Sequence, residues 1–389
     1  MNFSTRTSWN LAENDFAKAT RMAREAGRGL LDLTASNPTS CGFSLLPGFL
    51  DELARSDAAT YMPDPFGMLS ARAAVAAYYS DLGVNVPYEH IALTTSTSEA
   101  YSYLFRLLCN AGDEILVAQT SYPLFDFIAN LDDVCLKHYP LHYDPNADED
   151  HSWAIDLDML VANITSRTRA IVLVHPNNPT GHYVSLKERA ALYQLCSAHN
   201  LALIVDEVFL DYSLSLPQAT FAATESPCLT FVLSGLSKVC ALPQMKCSWI
   251  VTSGPKEIIR EALARLEVIA DTFLSMNAPI QHALPGWLAG RRPVQRQIIG
   301  RMRDNLATLD ARLLDTSAHR LALQGGWTVV LRVPRTINDV PFAEAALAND
   351  VLVQPGDFYG LPEGRIVLSL LTPPDLWRRG LTCLPIDGE

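Results

Sequence analysis

The chain has 389 residues, 49% hydrophobic and 19% charged, with a formal net charge of -12. That length is enough for two buried cores rather than one, and the acidic balance argues against nucleic-acid binding, which needs a basic face to neutralise phosphates. No apolar run approaches the roughly 20 residues of a membrane span, and the start, MNFSTRTSWN, has no basic stretch followed by an apolar one, so we expect a cytoplasmic protein without a secretory signal or membrane partner.

Residues 1–45 combine a helical pattern (Leu11 to Arg28), the apolar run Leu30 to Thr34 and the turn-rich SNPTSCG, and read as an arm. From Thr60 the phrase TYMPDPFGMLSARAAVAAYY passes from a Pro/Gly loop into an apolar helix beginning near Leu69. Short apolar runs at 91–93, 115–118, 170–174, 201–205, 229–233 and 249–251 then alternate with helical patterns at 99–109, 124–130 and 185–199. The alternation predicts an α/β domain over residues 46–285, its sheet mostly parallel with helices on both faces. After Pro285 a basic helical stretch (Arg291 to Leu314) leads to strand-like runs at 327–333, 351–353 and 366–371. These predict a smaller α+β domain from residues 286–389, completed by the N-terminal arm 1–45. The eight cysteines are scattered without a C-x-x-C pair, as expected of reduced packing residues, not a disulfide frame or a metal site.

Ligands of open α/β sheets sit beyond the carboxyl ends of the strands. Four such ends carry unusual residues. After 91–93 comes TTSTSEAYSYLF, whose Ser96, Thr97 and Ser98 open a helix; they read equally as a phosphate site of helix N–H groups and hydroxyls or as an N-cap with Glu99 closing a capping box. After 170–174 comes HPNNPTG, a rigid turn that can present the amide of Asn178. After 201–205 comes Asp206, either a cap or a buried carboxylate that needs a cation. After 229–233 comes SGLSK, where Lys238 is either an ordinary solvated residue or a desolvated amine able to form a Schiff base with an aldehyde. Together these ends suit a phosphorylated heteroaromatic aldehyde better than a metal or a nucleotide.

In this order, Tyr61 through Gly67, the hydroxyl-rich helix start, Tyr122 in TSYPLF, NNPTG, DEVF and SGLSK make the chain resemble the fold-type I pyridoxal-phosphate enzymes of the class I/II aminotransferase family over nearly its whole length. The resemblance implies a seven-stranded, aspartate aminotransferase-like large domain and a homodimer with shared active sites. It implies pyridoxal 5'-phosphate bound to Lys238 as an internal aldimine, with Lys238 later moving the substrate proton. Asp206 would pair with the pyridine nitrogen, Asn178 would bond the ring oxygen, and Tyr122 would stack on the ring. Ser96, Thr97, Ser98 and Lys246 would hold the phosphate, with Tyr61 reaching it from the neighbouring subunit. The activity implied is amino transfer between an amino acid and a 2-oxo acid.

Three positions depart from the family pattern. Lys246 stands where an arginine usually holds the phosphate, Phe209 where a tyrosine usually bonds the ring oxygen, and Val367 where an R-x-S arginine usually grips the substrate carboxylate. Arg365, two residues earlier and on the same face of a strand, is the candidate replacement for that arginine, although a solvated strand-start residue is an equal reading. The missing arginine keeps open a β-lyase, decarboxylase or cyclase reaction on the same cofactor. A non-catalytic pyridoxal-binding domain is a further alternative, against which Lys238 is intact.

Overall fold

The apolar runs in the middle of the chain assemble into one seven-stranded sheet. In spatial order its strands are Ile91–Thr94, Ser248–Ser253, Thr230–Gly235, Ala202–Asp206, Thr168–Val174, Glu114–Ala118 and Cys135–Tyr139. Ser248–Ser253 runs antiparallel to both neighbours, and every other pair is parallel. This computed structural model describes residues 1–389 apart from 122–124, 149–150, 223–224, 335–337 and 387–389.

The central strands are buried along their length because helices cover both faces. On one face Thr97–Leu108, Phe125–Leu131 and Lys256–Phe273 pack over Ile115, Val117, Ile204, Phe231 and Ile250. On the other, Leu69–Asp81, Leu186–His199 and Ala278–Ala289 cover Leu203, Val205, Val232 and Trp249. Cys135–Tyr139 is the one strand of this sheet with no apolar run to announce it. It lies at the edge, and Cys135, Lys137 and His138 point to solvent, so its side chains need not be apolar.

A four-stranded sheet, His319–Arg320, Thr328–Arg332, Arg365–Ser369 and Gln354–Pro355 in spatial order, forms the smaller layer. Arg292–Leu313, Asp339–Ala348 and Pro374–Cys383 cover it through Ile298, Met302, Phe342 and Trp377. Phe16, Leu31, Leu33 and Cys41 of the N-terminal arm enter the same core, and Leu31–Asp32 pairs in parallel with Val351–Leu352. So do Phe209, Tyr212 and Ala241, which leave the edge of the large sheet.

The change of character at Pro285 is not an element boundary. Pro285 lies inside the helix Ala278–Ala289, whose Trp287 and Leu288 are buried against the large sheet. Proline reads from sequence as a helix break because it lacks an N–H and crowds the preceding turn. Here the burial of Ala283, Leu284, Trp287 and Leu288 outweighs that local cost. Among the described residues no helix is long and apolar enough to cross a membrane, no group of three or more His, Cys, Asp or Glu is placed to hold a metal, and all eight cysteines are unpaired.

Candidate active site

Strand register gathers the predicted site. Ser248 is the partner of both Thr94 and Gly235, and Asp206 is the partner of both Val174 and Leu233. The residues that follow Thr94, Val174, Asp206 and Gly235, and those that precede Ser248, therefore emerge together at one edge of the sheet. Gly235 permits the closest of these approaches. A Cβ there would overlap Ser248 Oγ and lie 2.9 Å from the Cys247 carbonyl, which accepts the Leu236 N–H at 2.9 Å.

Lys238 stands in the short helix Leu236–Val239 beyond Gly235. Its backbone carbonyl accepts a hydrogen bond from the Tyr212 hydroxyl at 2.5 Å, which fixes the turn from the side of the smaller core. Its Nζ lies 4.9 Å from the centre of the Trp327 ring and 5.5 Å from that of Phe209. Burial against these rings pushes the ammonium pKa down, while the negative charge of Asp206 opposes the shift. A lysine held this way is poised to lose its proton and act as a nucleophile.

Asp206 is buried at the end of its strand. Its Oδ1 accepts the Val208 N–H at 3.0 Å and its Oδ2 the Tyr101 hydroxyl at 3.2 Å. Burial raises its pKa to about 6 despite these bonds and despite Lys238. Among the described residues no cationic side chain forms an ion pair with it.

The NNPTG turn is anchored by its first asparagine and presents its second. Asn177 Nδ2 donates to the Thr120 carbonyl at 2.9 Å and its Oδ1 accepts from Thr180 Oγ1 at 2.8 Å, whereas Asn178 Oδ1 accepts from Thr328 Oγ1 at 3.3 Å. Gly181, at φ +73°, lets the backbone of Gly325 approach so closely that a Cβ would overlap its carbonyl. That approach brings Trp327 and Thr328 of the smaller sheet to Lys238 and Asn178.

Ser96, Thr97 and Ser98 open a helix with an N-cap, but without the reciprocal bond of a capping box, since Glu99 reaches Thr95 and not Ser96. Ser96 is the N-cap of the helix Thr97–Leu108, its Oγ accepting the Glu99 N–H at 3.1 Å, and the Glu99 carboxylate takes the Thr95 N–H at 2.6 Å. The N–H groups of Thr97 and Ser98 have no acceptor among the described residues, and they remain available to an anion. Lys246, exposed and in a left-handed turn at φ 51°, lies two residues before Ser248 and so on the same edge. Tyr61 is 73% exposed on the outside of the chain. Tyr122 lies outside the described residues.

Arg365 does not join them. It is the register partner of Arg332, at the opposite end of its strand from Ser369, whose partner Thr328 touches Asn178. Four residues of strand, about 13 Å, separate the two ends. Its Nη1 donates to the Glu363 carbonyl instead. Val367 is buried in an apolar cluster with Trp153, Val330 and Leu361. The expectation that Arg365 replaces the absent arginine therefore has no geometric support.

Sequence reasoning missed Tyr101, Tyr212, Trp327 and Thr328. Tyr101 lies inside the quoted TTSTSEAYSYLF phrase, where only its helical position is legible. Trp327 and Thr328 follow Gly325-Gly326, a pair that signals close backbone approach without showing to what.

The family model for aminotransferases of class I and II matches residues 29–378. The glutamate–pyruvate aminotransferase AlaA of Escherichia coli K12 is 31% identical over 284 residues, covering 72% of this chain and 69% of the relative. The alanine aminotransferase of Mycobacterium tuberculosis H37Rv is 29% identical over 289 residues, 72% of this chain and 65% of its own. Among solved structures, an aminotransferase from Escherichia coli superposes with a TM-score of 0.85 at 26% identity over 98% of this chain and 97% of its own. The fold is also shared with the alanine aminotransferase of Pyrococcus furiosus, with a TM-score of 0.88 at 21% identity over 98% of both chains. These relatives favour amino transfer over the lyase, decarboxylase or cyclase alternative. The chain belongs to the class I and II aminotransferase family, with the aspartate aminotransferase-like fold, and it is a transferase that moves an amino group between an amino acid and a 2-oxo acid.

Proposed function

We propose that the protein performs this transfer with pyridoxal phosphate held on Lys238, and that alanine and glutamate are its amino donors. The observation that carries the reading is the pairing of a desolvated lysine with a buried, cation-free Asp206 at one sheet edge. A protonated ring nitrogen is the partner that such a carboxylate lacks. The free N–H groups of Thr97 and Ser98 and the nearby Lys246 suit a phosphate. The donor set therefore fits the cofactor.

When bound, the cofactor supplies an electron-withdrawing ring that draws charge away from the substrate α-carbon. The chain's own residues do the rest. Lys238 would hold the group through its ε-nitrogen, and the same amine would carry a proton to and from the α-carbon. Asp206 would accept a hydrogen bond from the ring nitrogen and keep it protonated, and Tyr101 orients the Asp206 carboxylate. Asn178 would donate to the ring oxygen through its Nδ2, while its Oδ1 accepts from Thr328. Thr97 and Ser98, with Ser96 fixing the turn, bind the phosphate at the positive end of their helix, and Lys246 adds charge. Lysine at 246 lacks the two-pronged grip of an arginine and so holds the phosphate less rigidly.

The donors are taken from the names of the relatives, and one experiment tests both donor and reaction. Holoprotein mixed with alanine or glutamate alone is expected to lose its visible cofactor absorbance and to regain it on addition of pyruvate. Release of ammonia or carbon dioxide in place of that reversible exchange would overturn the reading.

The proposal includes a homodimer in the cytoplasm. Tyr61, Met62, Leu69, Phe273 and Leu274 are large apolar side chains that stay exposed on the single chain. Gln281 ties their two loops together by accepting the Met68 N–H and donating to the Met276 carbonyl. A second copy of the chain is the partner that would bury this patch and carry Tyr61 to the neighbouring phosphate. The eight unpaired cysteines suit a reducing compartment. Sedimentation should give twice the chain mass, and Y61A and K246A should each raise the Kd for pyridoxal phosphate about tenfold, the loss of one charge-assisted bond. A monomer with full cofactor affinity would refute the shared site.

A further inference from the structure

Beside Lys238 lies a buried indole donor without an acceptor among the described residues. Trp327 is 2% exposed, and its Nε1–H has no partner among the described residues. A buried N–H left unpaired costs about 1–3 kcal/mol, so such groups are rare away from places where a ligand completes them. Four of the other tryptophans follow the rule: Trp153, Trp249, Trp287 and Trp377 each donate to a carbonyl or hydroxyl. Trp9 is the other indole without a partner among the described residues, and it lies on the N-terminal arm, far in sequence from the sheet edge.

The surroundings of Trp327 indicate what would complete it. Its ring meets Phe209 edge-on at 5.4 Å and Tyr212 at 5.0 Å, and Lys238 Nζ stands 4.9 Å from its centre. Along the strand it alternates with Thr328 and Val330, so it faces the cluster that holds Phe209 and Tyr212, while Val367 faces the opposite cluster with Val330. Trp327 is therefore placed on the side where Phe209 lacks a hydroxyl, not on the side where Val367 lacks a guanidinium.

We propose that Trp327 donates its indole N–H to the anionic ring oxygen of the pyridoxal group on Lys238, supplying the hydrogen bond that Phe209 cannot make. The inference rests on the Lys238 reading above. Indole is a donor only, so it favours the ionised oxygen and gives no proton in return. A hydrogen bond to an ionised group is stronger than one between neutral partners. Losing it raises the proton affinity of the oxygen and of the neighbouring imine nitrogen, which share one proton.

The test titrates the visible absorbance of the lysine-bound cofactor against pH in wild type, W327F and W327F/F209Y. Phenylalanine keeps an aromatic ring against Phe209 and Lys238 while removing the N–H. The midpoint should rise by roughly one pH unit or more in W327F and return toward the wild-type value in the double variant, whose tyrosine restores a donor. Should W327F not fold, wild-type protein labelled with 15N at its indoles gives a second readout, because one indole N–H resonance should move downfield when pyridoxal phosphate is added. Borohydride reduction followed by peptide mass analysis shows first whether Lys238 takes up the cofactor in wild type. Absence of that adduct would defeat the Lys238 reading itself. With the adduct present, an unchanged midpoint in W327F, or no moving indole resonance, would overturn the role of Trp327 alone.

Discussion

K238A should lose amino-transfer activity by at least about 10³-fold, the scale of one positioned acid–base group, and should no longer retain the cofactor through dialysis. Its visible absorbance should vanish with the covalent link. The fold should survive, because the lysine contributes little to it. Its ammonium is disfavoured by burial against Trp327 and Phe209, and its backbone carbonyl, which Tyr212 holds, is kept in alanine. The thermal midpoint of the cofactor-free variant should equal or exceed that of the wild type. A variant that still shows the absorbance after dialysis would remove Lys238 from the centre of the mechanism.

D206N should lower kcat by about 10²–10³-fold, comparable to the loss of one preorganised electrostatic partner, with the cofactor still bound. Asparagine keeps the acceptor for the Val208 N–H and the shape beside Tyr101, but it cannot hold a proton on a ring nitrogen. The same variant tests the burial of the acid through stability. In the cofactor-free protein Asp206 keeps its proton up to about pH 6, whereas the unfolded chain releases it near 3.8. Between those values the folded state holds the extra proton, so the contribution of Asp206 to stability is complete below pH 3.8 and falls as pH rises through 6. The loss amounts to about 3 kcal/mol.

Other buried groups titrate in the same window. Glu207 is raised to about 7 by burial, and His175 is lowered to about 3 by the same cause, with opposite effects on the slope. The difference between D206N and wild type isolates Asp206 from them. Urea midpoints of the cofactor-free proteins should show D206N gaining on the wild type from pH 4 to pH 7, and added pyridoxal phosphate should reverse the order at pH 8. A constant difference across that range would contradict a buried, unpaired acid at 206.

The parts of the site legible in sequence are those that directly follow strands. Asn178, Asp206 and Lys238 each come at or just after the end of a short apolar run, and parallel strands covered by helices bring such ends to one edge whatever their distance in sequence. The hydroxyl cluster was legible as a helix start, and the cap at Ser96 consumes only some of the first N–H groups, which leaves others for the anion proposed there. Arg365 shows the limit of arguing from spacing. Two residues along a strand share a face, yet the register with Thr328–Arg332 sends that end away from Asn178.

By itself, then, the sequence determined the alternation of strands and helices, the strand-end residues, and the three departures at Phe209, Lys246 and Val367. Local propensity and hydrophobic period are enough for these because they depend on neighbours along the chain. The edge strand Cys135–Tyr139 and the helix through Pro285 were decided by tertiary packing, one needing no apolar side chains and the other overriding a local break by burial. So was the wall of Tyr212, Trp327 and Thr328 around Lys238 and Asn178. It is built where Gly181 and Gly325 let the smaller sheet reach the larger, a contact between segments nearly 150 residues apart that no local pattern encodes.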